Sequence, residues 1–107
     1  MINYISDIVN RLETLNVTFA YDHFKTAKET PFLCYKIDEI KTSGADNKSL
    51  LKNHSVIVEL YTKERDFDFE NRILALFEDV EISASNVFIK LEEIYVTYFE
   101  FEFIEKI

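Results

Sequence analysis

The 107-residue sequence has one glycine, one proline, one cysteine and no tryptophan. A single glycine excludes the glycine-rich loops that bring backbone N–H groups close to phosphates or dinucleotides. Cys34 stands alone, so it cannot form an internal disulfide, and its apolar surroundings indicate a small buried side chain. Because the only histidines are His23 and His54, a structural zinc site is not expected. We therefore expect no catalytic residues, no metal and no cofactor.

Basic residues are also scarce, at 12 Lys and Arg against 20 Asp and Glu, which gives a net charge of −8. Residues 54–107 hold thirteen acidic and five basic residues, so the whole excess lies in the second half. Nucleic-acid-binding proteins gain affinity by neutralising phosphates with Lys and Arg. No basic stripe of this kind is present, so sequence-specific nucleic-acid binding is not expected.

Long hydrophobic runs are absent. No apolar run approaches the ~20 residues that a membrane-spanning helix needs, and residues 1–4 lack the basic charge that begins a secretory signal. The sequence predicts a protein made in the cytosol and not inserted in a membrane.

The aromatic residues, ten Phe and six Tyr, indicate a substantial β content. Before the strands, apolar residues spaced three or four apart predict a helix that begins near Asn3 as N-cap and ends at Asn16 in a left-handed conformation. The residues on its apolar face are Ile5, Ile8, Val9, Leu12 and Leu15.

Alternating patterns predict strands at residues 17–21, 32–41 and 55–62. A second helix is predicted to begin after Asp66 as N-cap, with a buried stripe of Phe69, Ile73, Leu76, Phe77 and Val80. Two final strands are predicted at 87–91 and 94–104. The chain is therefore predicted to be a single α+β domain, residues 1–107, with two helices and a mainly antiparallel sheet of four to five strands, in the order helix, three strands, helix, two strands.

Two segments are candidate contact surfaces. The last strand is apolar on both faces at Ile94, Val96 and Tyr98, a pattern that calls for cover by a helix or by another subunit. Residues 42–54 are predicted to be an irregular connection, and connections of that length are often functional or mobile. A plain hairpin tip explains the same residues equally well.

One polar constellation suggests an enzyme. Asp22 ends the first predicted strand, and Glu39 and Lys41 end the second. A carboxylate followed by Glu-x-Lys is the pattern with which restriction-type nucleases hold a divalent metal and activate water. An ordinary ion pair on one strand face gives the same spacing, and the negative charge of the chain opposes DNA binding. A metal-dependent nuclease is therefore the less favoured alternative.

Three stretches together resemble a known class of proteins. They are Pro31-Phe32-Leu33-Cys34-Tyr35-Lys36, then Ala45-Asp46-Asn47-Lys48 followed by Ile57-Val58-Glu59-Leu60-Tyr61-Thr62, and the closing Ile94-Tyr95-Val96-Thr97-Tyr98-Phe99-Glu100-Phe101. In this order, over residues 31–104, they resemble the small tail terminator or tail-completion proteins, sometimes called minor capsid proteins, of long-tailed phages and prophages of Gram-positive bacteria.

The resemblance implies a structural role without catalysis or cofactor. Such proteins form a ring, usually a hexamer, that caps the tail tube and permits head–tail joining; a head-side connector is the alternative. The implied partners are further copies of the chain, the tail tube protein and head-completion proteins, with DNA only in transit. The implied location is the host cytoplasm during assembly and then the virion. Ile94, Val96 and Tyr98 become the candidate subunit interface, and the candidate tube contact comprises Ser43, Gly44, Ala45, Asp46, Asn47 and Lys48.

Overall fold

The computed structural model describes residues 1–45 and 49–106. Its elements are α1 (Ile5–Glu13), β1 (Phe19–Tyr21), β2 (Phe32–Ala45), β3 (Ser49–Thr62), α2 (Phe67–Leu76), β4 (Ile82–Ile89) and β5 (Ile94–Lys106). The strands form a five-stranded sheet in the order β1-β2-β3-β5-β4. β1 pairs with β2 in parallel, and the other three pairs are antiparallel. The predicted α+β class and element order are confirmed.

Helix α1 buries Ile8 and Leu12, as its spacing predicts. Asn16 has φ 54°, which confirms the left-handed end of this segment. The predicted cap at Asn3 is wrong because the helix begins one residue later, with Tyr4 as N-cap. The Asp7 carboxylate accepts hydrogen bonds from the backbone N–H groups of Asn3 (2.8 Å) and Tyr4 (2.9 Å). These bonds stabilise the charged form and hold the pKa of Asp7 below its ordinary value.

Helix α2 begins as predicted. The Asp66 side chain accepts a hydrogen bond from the backbone N–H of Phe69 at 3.0 Å, which satisfies one of the free donors of the first turn. Phe69 and Ile73 are buried on its inner face, and Phe77, just after the helix, is buried too. The ring of Phe77 lies 4.8 Å from that of Phe101 on β5.

The core lies between the two helices and one face of the sheet, which we call the helix-covered face. The opposite face is called the open face. The packing alternates along β3 and β5, so every second side chain enters the core. The sheet residues of this core are Leu33, Val56, Val58, Leu60, Phe99, Phe101 and Phe103.

The carboxylate of Asp79, which follows α2, links the segment after α2 to α1 and to the N-terminal amino group. The Arg11 guanidinium donates to both oxygens of Asp79 at 2.7 and 2.8 Å. The amino group of Met1 lies 3.1 Å from the same carboxylate. These partners, Arg11 foremost, hold the pKa of Asp79 well below its ordinary value.

We expect this ion pair to give an acid-dependent contribution to stability. The pKa of Asp79 is lower in the folded state than its ordinary value of 3.8, so the contribution is complete above 3.8 and is lost as the pH falls below it. Because the Asp79 side chain is 35% exposed, Asp79→Asn should cost only about 0.5–1 kcal/mol at neutral pH. Urea unfolding at a series of pH values measures this. A difference between the two proteins that stays constant below pH 3.8 would contradict the assignment.

Residues 42–54 correct the sequence analysis. Instead of an irregular connection, residues 42–45 and 49–54 continue β2 and β3, and the pairing of these strands runs from Glu39↔Ser55 to Ala45↔Ser49. β5 follows β3 outward as far as the pair Leu51↔Lys106. We call this three-stranded extension, residues 39–45, 49–55 and 102–106, the arm. It helps to give the protein extents of 51 × 26 × 21 Å.

Only half of the candidate tube-contact residues lie in the part of the chain that the structure describes. Ser43, Gly44 and Ala45 are part of β2. Asp46, Asn47 and Lys48 lie outside the described residues. The fourth predicted strand was also placed too late: β4 begins at Ile82, and Leu91, which was assigned to it, stands in the turn after it and is 98% exposed.

Candidate assembly surfaces

Val96 lies in the middle of the open face of the sheet. Its neighbours across the strands are Tyr61 on β3 and Val87 on β4. Val96 is 0% exposed in the single chain, so burying it needs no second subunit. Ile94 and Tyr98 are half-buried. The predicted interface of Ile94, Val96 and Tyr98 stays a prediction, in which only Ile94 and Tyr98 have surface to contribute.

The segment between β1 and β2 covers part of the open face. Phe24 meets Phe32 edge-on, with ring centroids 5.5 Å apart, and Phe32 stacks on Tyr61 at 4.6 Å. This row of three aromatic rings lies over the β2 and β3 side of the sheet. The cover comes from neither a helix nor a partner, which were the two sources that the sequence pattern suggested.

Beside these rings the open face holds a buried polar pair. The Tyr61 hydroxyl donates to Glu59 Oε1 at 2.8 Å, and Glu59 is 9% exposed. Cys34 stands directly opposite Glu59 on β2. Burial, aided by the negative charge of Glu59, raises the pKa of the Cys34 thiol to about 11. Burial and the hydrogen bond to Glu59 raise the pKa of Tyr61. This environment suppresses the thiolate and therefore opposes a nucleophilic role for Cys34.

We expect native Cys34 to resist alkylation. With a pKa of about 11, about one thiol in a thousand is ionised at pH 8, and the side chain is 4% exposed. Iodoacetamide should therefore leave the folded protein unmodified and should label it fully in urea, as mass spectrometry measures. Cys34→Ser serves as the unlabelled control. Rapid labelling of the folded protein would contradict the structure.

An acidic groove of about 580 Å³ lies where the arm joins the start of β4. Four carboxylate side chains line it, and no Lys or Arg is among its lining residues; the acidic residues are Asp38, Glu81, Glu100 and Glu102. Glu102 is held in place because Ser55 Oγ and Asn53 Nδ2 donate to its two carboxylate oxygens at 3.3 and 3.4 Å. The groove favours a positively charged partner.

The arm has a partly apolar base. His54 is 2% exposed, its ring stacks on Phe103 with centroids 4.6 Å apart, and its Nε2 lies 3.0 Å from Glu105 Oε1. These contacts join β3 to β5 within the arm. Further out, Lys41, Lys52 and Lys106 follow on the three strands. The arm is therefore an ordered extension of the sheet whose three lysines are balanced by Glu39, Glu102 and Glu105.

The structure does not bring the nuclease constellation together. The backbone N–H of Asp22 bonds to Tyr35 O at 2.7 Å, which places Asp22 beside Tyr35. Glu39 comes four residues later on β2, ~13 Å further along the strand. Instead, Asp22 Oδ2 lies 2.8 Å from His23 Nδ1, and Glu39 Oε1 lies 3.7 Å from Lys41 Nζ. The pair of Glu39 and Lys41 is the ordinary ion pair that the sequence analysis weighed against the nuclease.

Metal-binding clusters and membrane-spanning helices are both absent from the described residues. Within residues 1–45 and 49–106, no group of three or more His, Cys, Asp or Glu side chains is placed to hold a metal ion. Neither helix in that part of the chain has the length and apolar character needed to cross a membrane.

Sequence reasoning missed two surfaces. The acidic groove joins Asp38 from β2 with Glu81 before β4, and only the sheet topology brings these residues together. The second surface lies around the β4–β5 turn, where Val87 and Phe88 are 49% and 47% exposed. Their alternation in the sequence predicts a strand, but it does not show that both side chains are exposed.

Comparison with known proteins gives a likeness in fold. The chain matches no protein-family model and no curated protein. It is similar to a chain of a solved structure described as the virion of a native gene transfer agent particle, with a TM-score of 0.57 and 11% sequence identity. The match covers 89% of this chain and 88% of that one. Because nearly the whole length of both chains is covered, the two share the fold of the entire domain.

Proposed function

We propose that the chain is a structural subunit of a phage or phage-like virion. The observation that carries the proposal is the likeness to a chain of a gene transfer agent virion over 89% of this chain. The resemblance of residues 31–104 to tail terminator proteins points in the same direction. A fold alone does not determine function, so the surfaces of the molecule supply the next step of the argument.

The proposed action is assembly without catalysis. Among residues 1–45 and 49–106 there is no cluster of metal-binding side chains, and the single cysteine is buried with a raised pKa. The arm, by contrast, extends away from the core and exposes Ile40 and Ile104 at 49% and 58%. These two side chains lie on opposite faces of the arm, because Ile40 pairs with His54 and Ile104 pairs with Asn53, so the arm would bind another protein through its extended strands rather than through one apolar patch.

The specific role that we propose is the ring that caps the tail tube and permits head–tail joining, built from several copies, six in the usual case. The ring assembles in the host cytoplasm and stays in the virion. Its acidic residues would line the channel, where negative charge keeps passing DNA from binding. Ser43, Gly44 and Ala45, with Asp46, Asn47 and Lys48, would lie towards the tube. Ile94 and Tyr98 would contribute to subunit contacts.

A tube-capping assay tests this role. The purified protein is added to the polymerising tail tube protein of the same phage, and tube length is measured by electron microscopy. We expect shorter tubes with a ring at one end, and unlimited growth without the protein. Tubes of unchanged length with no added density would overturn the cap.

A head-side connector is the second candidate, because the description of the similar structure names the virion as a whole rather than its tail. Binding to isolated heads and not to tubes would favour it. An enzyme is tested separately: Mg²⁺-dependent cleavage of DNA that disappears in Asp22→Ala or Glu39→Ala would overturn both structural roles.

A further inference from the structure

One edge of the sheet lacks the usual protection. β4 is the last strand in the sheet order, and within residues 1–45 and 49–106 no strand lies beyond it. Its eight residues, Ile82–Ile89, include no charged residue and no proline. Its pairing with β5 shows no bulge. Natural proteins guard free edges with lysine, proline or bulges, since a bare edge adds strands from other chains. β4 is therefore suited to pairing.

The direction of the free hydrogen-bonding groups follows from the register. The N–H of Leu33 bonds to Thr18 O on the β1 side, so the polar groups of Leu33 point away from β3. Such groups alternate in direction along antiparallel strands. Followed across the sheet through the paired residues of β2, β3, β5 and β4, this alternation turns the N–H and C=O groups of Ala84, Asn86 and Phe88 outward from β4.

A complementary edge exists on the arm. β1 covers β2 only from Leu33 to Tyr35, and the Tyr21 hydroxyl accepts the N–H of Ile37 at 3.2 Å. Beyond that point no described strand lies on the side of β2 that faces away from β3. The same alternation turns the backbone groups of Thr42, which pairs with Lys52, away from β3. The free part of β2 thus matches β4 in length.

The two edges also agree in direction. β4 is antiparallel to β5, β5 to β3, and β3 to β2, so β4 and β2 run in opposite directions. A neighbouring copy in the same orientation therefore presents its β2 antiparallel to β4.

We propose that the β4 edge of one copy takes the arm of a second copy as an added antiparallel strand, head to tail. This inference rests on the ring proposed above, because it names the contact that builds the ring. The part of β2 with a free edge begins after Ile37, whereas β4 is level with the part of β2 before it. The two edges are therefore offset by about eight residues, and neighbouring copies are staggered by ~26 Å. Strands tilted to the ring axis produce such a stagger. A head-to-tail contact of this type closes into a ring when the rotation allows it.

Proline substitutions test each edge. Ala84→Pro and Thr42→Pro each remove an outward N–H and leave the bonds within the chain in place. The matched controls, Ala84→Val and Thr42→Val, keep the N–H. Mass is measured by light scattering at the highest soluble concentration, and circular dichroism confirms the fold. We expect both proline variants to be monomers and both valine variants to keep the wild-type mass.

Mixing the two proline variants gives the decisive result. One has an intact arm and the other an intact β4, so we expect a one-to-one heterodimer and nothing larger. If both variants keep the wild-type ring mass, this contact is wrong while the ring stands. If only Ala84→Pro lowers the mass, β4 pairs with a second β4 and the head-to-tail arrangement is overturned. A wild-type chain that stays monomeric would overturn the ring and this contact together.

Discussion

We expect Phe99→Ala to lower the free energy of unfolding by about 3–5 kcal/mol. Phe99 is 0% exposed and stands on β5 between Val58 of β3 and Ala84 of β4. Its removal leaves a cavity at the centre of the sheet that neither neighbouring strand can fill without shifting. Small domains are stable by only about 5–15 kcal/mol, so this change removes a large part of the total. Urea unfolding followed by circular dichroism measures it.

Two variants on the same strand act as controls for this prediction. Phe99→Leu keeps most of the buried volume and should cost less than half as much as the alanine variant. Ile104→Ala removes an apolar side chain that is 58% exposed and should stay within about 0.5 kcal/mol of the wild type. Equal losses at residues 99 and 104 would show that the core is not where the structure places it.

Removal of the arm is expected to abolish particle assembly while the domain stays folded. Replacing residues 41–53 with the dipeptide Asn-Gly would close the hairpin between the paired residues Ile40 and His54, since Asn-Gly favours a two-residue turn. The core residues Val56, Val58 and Phe99 lie outside the deleted segment. Infection or induction with this variant, followed by electron microscopy, should yield separate heads and overlong tails, and infectivity should fall by several orders of magnitude.

The arm prediction has its own control and its own contrary outcome. Thr42→Val keeps the full length of the arm and every N–H group, so it should give infectious particles. The arm variant itself must show a cooperative unfolding transition. If the folded variant without the arm gives the normal number of particles with normal tail length, the arm is not needed for assembly.

The core strands and helices were predictable because their side chains alternate strongly between apolar and polar. Val56, Val58 and Leu60 show the period of two, and Ile8 and Leu12 show the spacing of a helix. Such patterns arise wherever one side of an element faces the core. For the same reason the order of elements followed directly from the sequence.

The arm could not be recognised by this method. Beyond the base of the arm, where His54 and Phe103 are buried, Thr42, Ser43 and Gly44 are exposed and have no reason to alternate in polarity. Hydrogen bonding between backbones forms the pairing there, and backbone bonds leave no trace in composition. The bulge between Ile37 and Glu39 also shifts the register at the point where the arm begins.

The candidate surfaces were predictable only in part. The two-sided apolar character of the last strand was visible, but its cover by Phe24 and Phe32 depends on how the segment between β1 and β2 folds back. The acidic groove depends on the topology as well, because β5 separates β3 from β4 in the sheet. Charge counts located the excess in residues 54–107 without showing which carboxylates converge.

The strand order has a consequence for biosynthesis. β4 is hydrogen-bonded only to β5, which is synthesised after it and lies between it and β3. While β5 is still unsynthesised, the nascent chain can form only part of the sheet. Its β4 then has no strand within the molecule to pair with. Completion of the sheet must wait until β5 leaves the ribosome, and until then β3 and β4 expose edges that can pair with strands of other chains.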